Sequence, residues 1–403
     1  MWNEVDNMLN NERLAVQSAA FSYIDAHRDE MLELLKELVR MESGSYDVED
    51  VDRVVARVAE ELKNDGLDVG VAEYEQAGNT LVAGWNRDGS KKPIVFIGHL
   101  DTVFEKGSLA KMPLRIEDGK GFGPGFLDMK GGAVIAIYVL RALGAAGYGG
   151  RPVKIILSGD EETGHEMSGS QKLIMDECRG AAAAFVFETG YADNKIIIKR
   201  KGAGRFVIEN FGLSAHAGIC PENGRHAILD MAHKIIAVQA LNQNPDGTTY
   251  NVGTITGGTV PNAVPDYCRV AIDIRYQKQE HIAGILENLE RVANTAYVDG
   301  VTSKLTGGMS FLPMEDNEGN RALFEIVKEA AVSLGQPTPY PGATGGGSDA
   351  AYPSAAGVPT VCSMGIQGAL SHTPNEYGVI ETLYDRAKLM ITTLLLAEEK
   401  QFI

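Results

Sequence analysis

The fold is decided by the stretch IVFIGHLDT, Ile94–Thr102, in which an apolar run leads through a glycine into a histidine and an aspartate. A short apolar run with β-branched residues predicts a buried strand. In open α/β sheets, sites form at the carboxyl ends of strands, so His99 and Asp101 are candidate functional residues. They are two residues apart and would share one face of an extended chain. Taken alone, the motif favours a hydrogen-bonded surface histidine.

Helices and strands alternate on both sides of this stretch. Apolar residues spaced by three and four predict helices, and short apolar runs predict strands. The predicted helices are Asn11–Arg40, Val51–Asn64, the segment after Gly131–Gly132 up to Leu143, Arg321–Leu334 and Thr382–Glu398, and the predicted strands are Leu81–Trp85, Ile94–Ile97, Val153–Leu157, Ala184–Phe187 and Thr360–Cys362. This alternation predicts the α/β class, with a mixed or parallel sheet covered on both faces.

The pattern changes between Lys199 and Thr306. The order there is β-α-β-β-α, which is typical of a small α+β unit that closes on its own. Its predicted elements are the strands Phe206–Phe211, Val252–Thr256 and Cys268–Arg275 and the helices Ala227–Leu241 and Ile282–Val298. We predict a discontinuous α/β domain from residues 1–199 and 308–403 and an inserted α+β domain over 200–307, because 403 residues exceed one ordinary core. The alternative is one large continuous domain.

Composition and charge argue against several functional classes. The chain has a formal net charge of −17, whereas binding a nucleic-acid backbone or an anionic membrane requires a basic surface. We therefore expect no nucleic-acid and no membrane partner, and no apolar run is long enough to span a bilayer. The first residues lack the pattern of a signal peptide, and the four cysteines show no C-x-x-C pair. These features predict reduced thiols and a cytoplasmic location.

Acidic residues stand at three further points. Asp128 lies in the glycine-rich loop GFGPGFLDMKGG, Glu161 and Glu162 follow the predicted strand Val153–Leu157, and Glu188 follows Phe187. Neighbouring acids repel one another unless a cation lies among them, and a metal site would use one as a ligand and leave the next for proton transfer. A helix cap, a solvated acidic loop and a surface acid are the respective alternatives.

A late histidine, His372, completes the set in a turn-rich segment, where a loop histidine is the alternative. Two histidines with several carboxylates form a nitrogen and oxygen ligand set that suits zinc, or less often cobalt or manganese. No thiol joins the set, which argues against a structural zinc site. Two ions about 3.5–4 Å apart, bridged by a carboxylate and a water, can polarise a carbonyl and deliver hydroxide together.

At this point the chain resembles the M20 metallopeptidases, which include glutamate carboxypeptidases, acetylornithine deacetylase and succinyl-diaminopimelate desuccinylase. The resemblance covers nearly the whole chain, and from Arg200 onward it is greatest to the glutamate carboxypeptidase branch. The motifs that carry it are GHLDTV at Gly98–Val103, DMKGG at Asp128–Gly132, GDEETG at Gly159–Gly164, SAHAG at Ser214–Gly218, GGGSDA at Gly345–Ala350, and His372.

The resemblance implies roles for individual residues. One ion would be held by His99 and the other by His372, Asp128 would bridge them, and Glu162 and Glu188 would each complete one shell. Asp101 would orient His99, and Glu161 would act as general base and then general acid. The substrate carboxylate would be held by Asn262 and Arg275, with Gly347 and Ser348 lining the same pocket. In dimeric relatives the histidine that matches His216 reaches into the partner's active site and stabilises the oxyanion, so the inserted domain is also expected to serve as a lid and to form a homodimer.

Two departures from the family pattern affect the substrate. Relatives often have a proline after the third acidic ligand, where this chain has Thr189. The glutamate-specific branch carries an arginine near the end of the small domain, and Thr306–Phe311 contains none. The catalytic set is complete, but specificity for C-terminal glutamate does not follow.

Three functions remain open on this basis. The first is a di-zinc amidohydrolase of carboxypeptidase or dipeptidase type, acting on a small peptide or N-acyl amino acid with a free carboxylate. The second is an N-acyl-amino-acid deacylase of the deacetylase or desuccinylase kind. The third is a catalytically silent relative that binds metal or ligand, since fold alone does not fix function; it should lack the base or a ligand, and this chain has both.

Overall fold

The chain folds into two compact units. The structure is a computed structural model that describes residues 2–85 and 91–403, with side chains from residue 12 onward. The first unit contains the residues up to Lys199 together with Asp316–Ala343 and Ser348–Ile403. The second contains Arg200–Glu315 and Thr344–Gly347. The limits of this second unit thus differ from the inserted domain predicted over 200–307.

The elements follow in chain order. The helices are α1 (Trp2–Ala26), α2 (Arg28–Arg40), α3 (Val48–Asn64), α4 (Ser108–Lys111), α5 (Lys130–Ala145), α6 (Gln171–Cys178), α7 (Ala227–Ala240), α8 (His281–Asn294), α9 (Glu318–Ser333), α10 (Ala351–Ala355) and α11 (Glu381–Glu399). The strands are β1 (Asp68–Ala72), β2 (Gly78–Trp85), β3 (Ile94–His99), β4 (Arg115–Glu117), β5 (Lys120–Phe122), β6 (Val153–Gly159), β7 (Ala183–Val186), β8 (Gly190–Tyr191), β9 (Lys195–Arg200), β10 (Gly202–Phe211), β11 (Ala215–His216), β12 (Thr249–Gly257), β13 (Ala263–Val264), β14 (Tyr267–Tyr276), β15 (Thr302–Phe311), β16 (Tyr340–Thr344), β17 (Thr360–Cys362), β18 (Gln367–Ala369) and β19 (Tyr377–Val379).

The first unit is built around an eight-stranded mixed sheet with the order β1-β2-β6-β3-β7-β17-β9-β16. Strands β6, β3, β7 and β17 run parallel to one another, so their carboxyl ends lie at one edge. Every residue of β3 is buried, as expected for a central parallel strand. Helix α5 packs against β3 and β6. The mixed α/β class predicted from the sequence is confirmed.

A second sheet of the first unit has the order β4-β5-β19-β18-β8. Its strand β5 leads into the glycine-rich loop before α5, and β18 leads into the turn that contains His372. Strand β19 lies between these two strands and pairs with both. This arrangement brings two loops that are far apart in sequence to the same end of a small sheet.

The second unit is a four-stranded antiparallel sheet, in the order β12-β14-β10-β15, packed against α7 and α8. Burial alternates along β14, where Cys268, Val270, Ile272, Ile274 and Tyr276 are buried and their neighbours are partly exposed. One face of the sheet therefore forms a core with the helices, as the period of two in a strand requires.

The sequence missed β15, because its glycine pair was interpreted as the end of the inserted domain. Gly307 lies within the strand at a φ of 108°. A Cβ atom there would lie 2.1 Å from the carbonyl oxygen of Arg205 on β10, so only glycine permits the approach. The strand extends the pattern to β-α-β-β-α-β.

The predicted single helix Asn11–Arg40 is wrong in one respect, since it is interrupted at His27. This residue has φ −113° and ψ 21°, and α1 ends before it while α2 begins after it. Its Nδ1–H donates to the carbonyl of Tyr23 at 2.8 Å, and the two rings stack. A local side-chain bond of this kind competes with continuation of the helix. Among the helices of the described residues, none combines the length and the apolar character needed to cross a membrane.

Candidate metal centre

Parallel strands bring four of the predicted site residues to one edge of the large sheet. His99 is the last residue of β3, which lies between β6 and β7. Glu161 and Glu162 follow β6 in a single 3₁₀ turn, and Glu188 follows β7. The histidine therefore has a pair of acids on one side and a third acid on the other.

The remaining two residues, Asp128 and His372, lie in the loops that follow β5 and β18 of the small sheet. The two carboxylate oxygens of Asp128 face different histidines: Oδ1 lies 3.4 Å from His99 Nε2, and Oδ2 lies 3.2 Å from His372 Nε2. His372 Nε2 is also 3.3 Å from Glu162 Oε1. The start of α5 fits closely here, because a Cβ atom on Gly132 would lie 1.9 Å from the carbonyl oxygen of Phe187, just before Glu188.

Two groups of potential metal ligands share Asp128. One is His99, Asp128 and Glu188, and the other is Asp128, Glu162 and His372; in each, the ligand atoms lie within 4.8 Å of one another. Asp101 and Glu161 are buried beside them. The structure thus brings together seven residues that the sequence singled out from five separate segments.

Asp101 orients His99 and is itself held firmly. His99 Nδ1 lies 3.1 Å from the Asp101 carbonyl oxygen and 3.3 Å from Oδ1. The carboxylate accepts hydrogen bonds from the Ser45 hydroxyl at 2.7 Å and from the backbone N–H groups of Glu161 and Glu162 at 3.1 Å. Burial raises the pKa of Asp101, but these donors and His99 outweigh it and hold the pKa below its usual range. An ionised partner fixes the ring so that Nε2 faces Asp128.

The other acids respond differently to burial. Burial raises the pKa of Glu161 well above its usual range; His99 opposes this, and Glu188 and Glu162 add to it. Burial likewise raises the pKa of Glu162 to about 7 despite its contact with His372. The carboxylates of Asp128 and Glu162 raise the pKa of His372 to about 11. A site of this kind holds carboxylates that are costly to ionise without a positive charge nearby.

These donors fit a divalent cation. Nitrogen and oxygen ligands at two linked positions are the set that zinc accepts. The Nε2 atom of His99 and Oε1 of Glu162 are both buried and make no hydrogen bond with the described residues. Burying a polar atom without a hydrogen bond costs free energy unless something else binds it. Both atoms belong to residues of the ligand groups described above.

Two positioning features were missed by sequence reasoning. Glu376 is fully buried, and its Oε1 accepts hydrogen bonds from the backbone N–H of Leu127 at 3.2 Å and of Asp128 at 3.4 Å, so it holds the loop of the bridging acid. Burial raises the pKa of Glu376 to about 8, and Asp128 adds to the effect. Its place four residues after His372 was the only signal in the sequence.

The second missed feature is a buried chain of three side chains. His165 lies between Asp160, at 2.9 Å from Nδ1, and Asp349, at 2.5 Å from Nε2. Asp349 also accepts a hydrogen bond from Ser158 at 2.9 Å. These hydrogen bonds connect the turn that carries Glu161 to the segment around Asp349.

Ser348, which we predicted to line the substrate pocket, belongs to this buried region. It is fully buried, and its hydroxyl donates to Glu188 Oε1 at 3.0 Å. The geometry therefore favours a role in holding Glu188 rather than contact with substrate.

The remaining predicted residues lie in the second unit. His216 and Asn262 are exposed, and the backbone N–H of Ala217 donates to the Asn262 carbonyl at 3.0 Å, so their segments are adjacent. Arg275 forms a two-point contact with Asp273 at 2.9 and 3.0 Å. The carbonyl of Gly347 accepts a hydrogen bond from Arg200 at 2.9 Å.

An α/β unit that gathers two histidines, one buried and one exposed, with several acids near the ends of its parallel strands has the type of site found in metal-dependent hydrolases. The sequence model of Peptidase family M20/M25/M40 matches residues 95–396. The chain belongs to this family, whose members are hydrolases of peptide or amide bonds.

The chain is also similar to individual proteins, at modest sequence identity. The chain is 29% identical over 379 residues to carboxypeptidase G2 of Pseudomonas sp. (strain RS-16), covering 90% of this chain and 88% of the relative. It is 22% identical over 368 residues to a succinyl-diaminopimelate desuccinylase of Corynebacterium glutamicum, covering 89% and 96%.

Solved structures share the fold. Aminopeptidase PepT from Bacillus cereus matches with a TM-score of 0.75 and 22% identity, covering 92% of this chain and 99% of that one. The M20 family metallo-carboxypeptidase Sso-CP2 from Sulfolobus solfataricus matches with a TM-score of 0.74 and 17% identity, covering 91% and 99%.

Proposed function

We propose that this chain is a di-zinc amidohydrolase of carboxypeptidase or dipeptidase type, which cleaves an amide bond in a small peptide or N-acyl amino acid with a free carboxylate. The observation that carries the proposal is that two ligand groups share Asp128, whose two oxygens face His99 and His372. A carboxylate with one oxygen toward each histidine has the geometry of a bridging ligand. Cobalt and manganese accept similar donors and are the alternative metals.

In this proposal His99 and Glu188 would hold one ion, His372 and Glu162 would hold the other, and Asp128 would be shared by both. When bound, the ions would polarise the substrate carbonyl and lower the pKa of the attacking water. Asp101 keeps His99 in the tautomer that presents Nε2, and Ser348 and Glu376 hold Glu188 and the Asp128 loop in place.

Glu161 moves the proton. Its carboxylate accepts a proton from water as the new C–O bond forms, and it returns that proton to the nitrogen as the C–N bond breaks. The products are a carboxylic acid and a free amine, between which the second proton of the water passes at neutral pH to give a carboxylate and an ammonium, and Glu161 ends as it began. Burial beside other acids favours the protonated form and so helps Glu161 take up the proton, whereas a bound cation favours the ionised form and so helps Glu161 give the proton up.

We assign binding of the substrate carboxylate to the second unit, through Asn262 and Arg275, with Gly347 contributing backbone. Arginine binds a carboxylate through two parallel hydrogen bonds. Since Arg275 contacts the carboxylate of Asp273 in the structure, it would release that carboxylate when it binds the carboxylate of the substrate.

The proposal includes a homodimer formed through the second unit, in which His216 stabilises the oxyanion in the partner's site. Its support is apolar surface: Ile236 on α7 and Ile255 on the edge strand β12 are largely exposed. An edge strand with exposed apolar side chains favours pairing with a second copy. Sedimentation of the wild-type protein should give twice the mass of the chain, and the Ile236→Glu variant should give the mass of a single chain.

A cytoplasmic location is also part of the proposal. Its support is that all four cysteines are free thiols, as in proteins from reducing compartments.

The second candidate function is an N-acyl-amino-acid deacylase. It is favoured by the similarity to a succinyl-diaminopimelate desuccinylase along 89% of this chain. The same residues would perform the chemistry, and only the acyl group would differ.

A hydrolysis screen tests the function. Dipeptides and N-acyl amino acids are incubated with the protein before chelation, after chelation, and after addition of zinc, cobalt or manganese, and the released amino acids are analysed. We expect cleavage that chelation abolishes and metal restores. Preference for dipeptides supports the first candidate and preference for N-acyl amino acids the second, whereas a metal-loaded protein that cleaves neither panel would contradict both.

A further inference from the structure

A depression of about 120 Å³ opens beside the candidate metal centre within the first unit. Its walls are two loops: residues 44–47, which follow α2, and residues 102–105, which follow β3. Glu162 and Thr163, which follow β6, complete its lining. A cavity of about 150 Å³ holds a benzene ring, so this volume suits one unbranched side chain.

The two walls are fastened to each other and to the metal centre. The backbone N–H of Ser45 donates to the Thr102 carbonyl at 3.0 Å, and that of Thr102 donates to the Ser43 carbonyl at 2.8 Å. The Ser45 hydroxyl donates to Asp101, which orients His99. A Cβ atom on Gly44 would lie 2.3 Å from the Phe104 carbonyl oxygen, so the loops are in close contact. The depression is therefore a preformed part of the site.

The position of Glu161 indicates which part of a substrate enters. The proposed proton donor must lie within hydrogen-bond reach of the leaving nitrogen. Glu162 lines the depression and Glu161 does not. A group in the depression is therefore not placed against the proposed proton donor, which favours the carbonyl side of the scissile bond over the leaving amine.

The lining combines apolar surface with negative charge. Tyr46 is 77% exposed and Val103 is 40% exposed, although both are large apolar side chains, and Phe104 lies beside them. Asp47 and Glu105 add two carboxylates, and among the described residues that line the depression none is lysine or arginine. The neighbouring Lys106 pairs with Asp50 at 2.8 Å.

From these features, and on the basis of the function proposed above, we propose that the depression is a specificity subsite for an acyl-side residue with an unbranched apolar chain that ends in a cation, as in lysine. The methylene chain packs on Tyr46, Val103 and Phe104, and the ammonium group reaches Asp47 and Glu105. Long basic side chains bind in this way, with the stem on apolar surface and the charge at the edge. An aromatic ring close to the ammonium adds a cation–π attraction.

The test compares three dipeptides that differ only in the first residue: lysyl, norleucyl and glutamyl, each with alanine and with glutamate at the C-terminus. Norleucine has the four carbons of lysine without the amine. We expect kcat/KM for lysyl to exceed that for norleucyl by about twofold to fivefold, the range of exposed ion pairs. The glutamyl peptides should be the poorest substrates.

Variants separate the two parts of the subsite. The double variant Asp47→Asn, Glu105→Gln should reduce the lysyl-to-norleucyl ratio to about one while norleucyl turnover is retained. Tyr46→Ala should lower kcat/KM for lysyl and norleucyl together. The matched charge control is Glu60→Gln, an exposed acid about 18 Å along α3 from Val48 at 1.5 Å per residue, and it should leave the ratio unchanged.

Binding to zinc-loaded Glu161→Ala, measured by calorimetry with the same peptides, separates this inference from the proposed function. If the wild-type protein cleaves none of the peptides but the variant binds lysyl more tightly than norleucyl, the subsite stands and the function fails. The subsite is overturned if the lysyl-to-norleucyl ratio is one in the wild type, or if a ratio above one is unchanged in the double variant. In either case, cleavage of the norleucyl peptides would leave the proposed function intact. Absence of both cleavage and binding overturns both.

Discussion

The two units stabilise their buried carboxylates in opposite ways. In the second unit, Asp230 is fully buried and accepts hydrogen bonds from Lys234 Nζ at 2.6 Å and from the backbone N–H groups of Tyr297 and Val298 at 2.6 and 2.9 Å. Burial raises the pKa of Asp230, but these donors lower it below its usual range. The chain itself supplies the cation.

In the first unit, Asp128, Glu161 and Glu162 form no ion pair with a lysine among the residues that the structure describes. The described ion pairs of Asp128, Glu161 and Glu162 are with His99 and His372. A histidine is a cation only when protonated, and a protonated ring cannot bind a metal. The comparison teaches that one cluster is complete as folded, whereas the other is the cluster that we propose to be completed by bound cations.

The largest expected effect comes from removing the base while leaving the ligands. Glu161→Ala should lower kcat by about 10³-fold, within the range for general acid–base catalysis, because no other group is placed to move the proton. Bound metal, measured by elemental analysis, should stay at the wild-type level. Glu60→Ala is the matched control and should keep full activity; near-normal turnover by metal-loaded Glu161→Ala would refute the assignment.

Removing the internal cation should damage the second unit alone. Lys234→Met leaves Asp230 buried without its charged partner, which costs about 3–5 kcal/mol for a buried pair. Urea unfolding should show this loss, while the metal content of the folded protein should not change. Asp230→Asn combined with Lys234→Met should recover part of the stability, and a metal content that fell with Lys234→Met would show that the clusters are not independent.

A smaller effect concerns pH in the metal-free protein. The pKa of Glu162 is about 7 in the folded chain, against about 4.3 in an unfolded one, so the folded chain binds the proton more tightly and this stabilisation is lost as pH rises between those values. The pKa of His372, about 11, acts in the same direction at higher pH. The melting temperature after chelation should therefore fall by a few degrees from pH 5 to pH 8.

The zinc-loaded protein should not show this decline, because the ion replaces the protons. Glu162→Gln, which cannot titrate, should reduce the decline in the chelated protein. A melting temperature that rose with pH after chelation would contradict the raised pKa of Glu162.

Much of this arrangement could be predicted from sequence, for a physical reason. The runs before His99, Glu161 and Glu188 are short and apolar, and parallel neighbours such as β3, β6 and β7 necessarily end at one edge. Strand type and strand ends were therefore enough to group these two acids and one histidine. The family resemblance added the pairing of Asp128 with His372.

Other features depend on contacts that a local pattern does not contain. Strand β15 was missed because a glycine pair normally ends an element, whereas Gly307 permits close approach to β10. The roles of Glu376 and His165 rest on hydrogen bonds to residues far away in sequence. Ser348 was assigned to the substrate pocket from its motif. Its burial and its hydrogen bond to Glu188 become visible only in the folded structure.

The central claim is that two ions share Asp128, and the most direct test is the number of metal ions bound per chain. Elemental analysis of the protein after zinc loading and gel filtration should give about two zinc ions per wild-type chain and fewer for Asp128→Asn, because both ligand groups contain that residue. A wild-type chain that retains no metal, or an Asp128→Asn chain that retains both ions, would contradict the account.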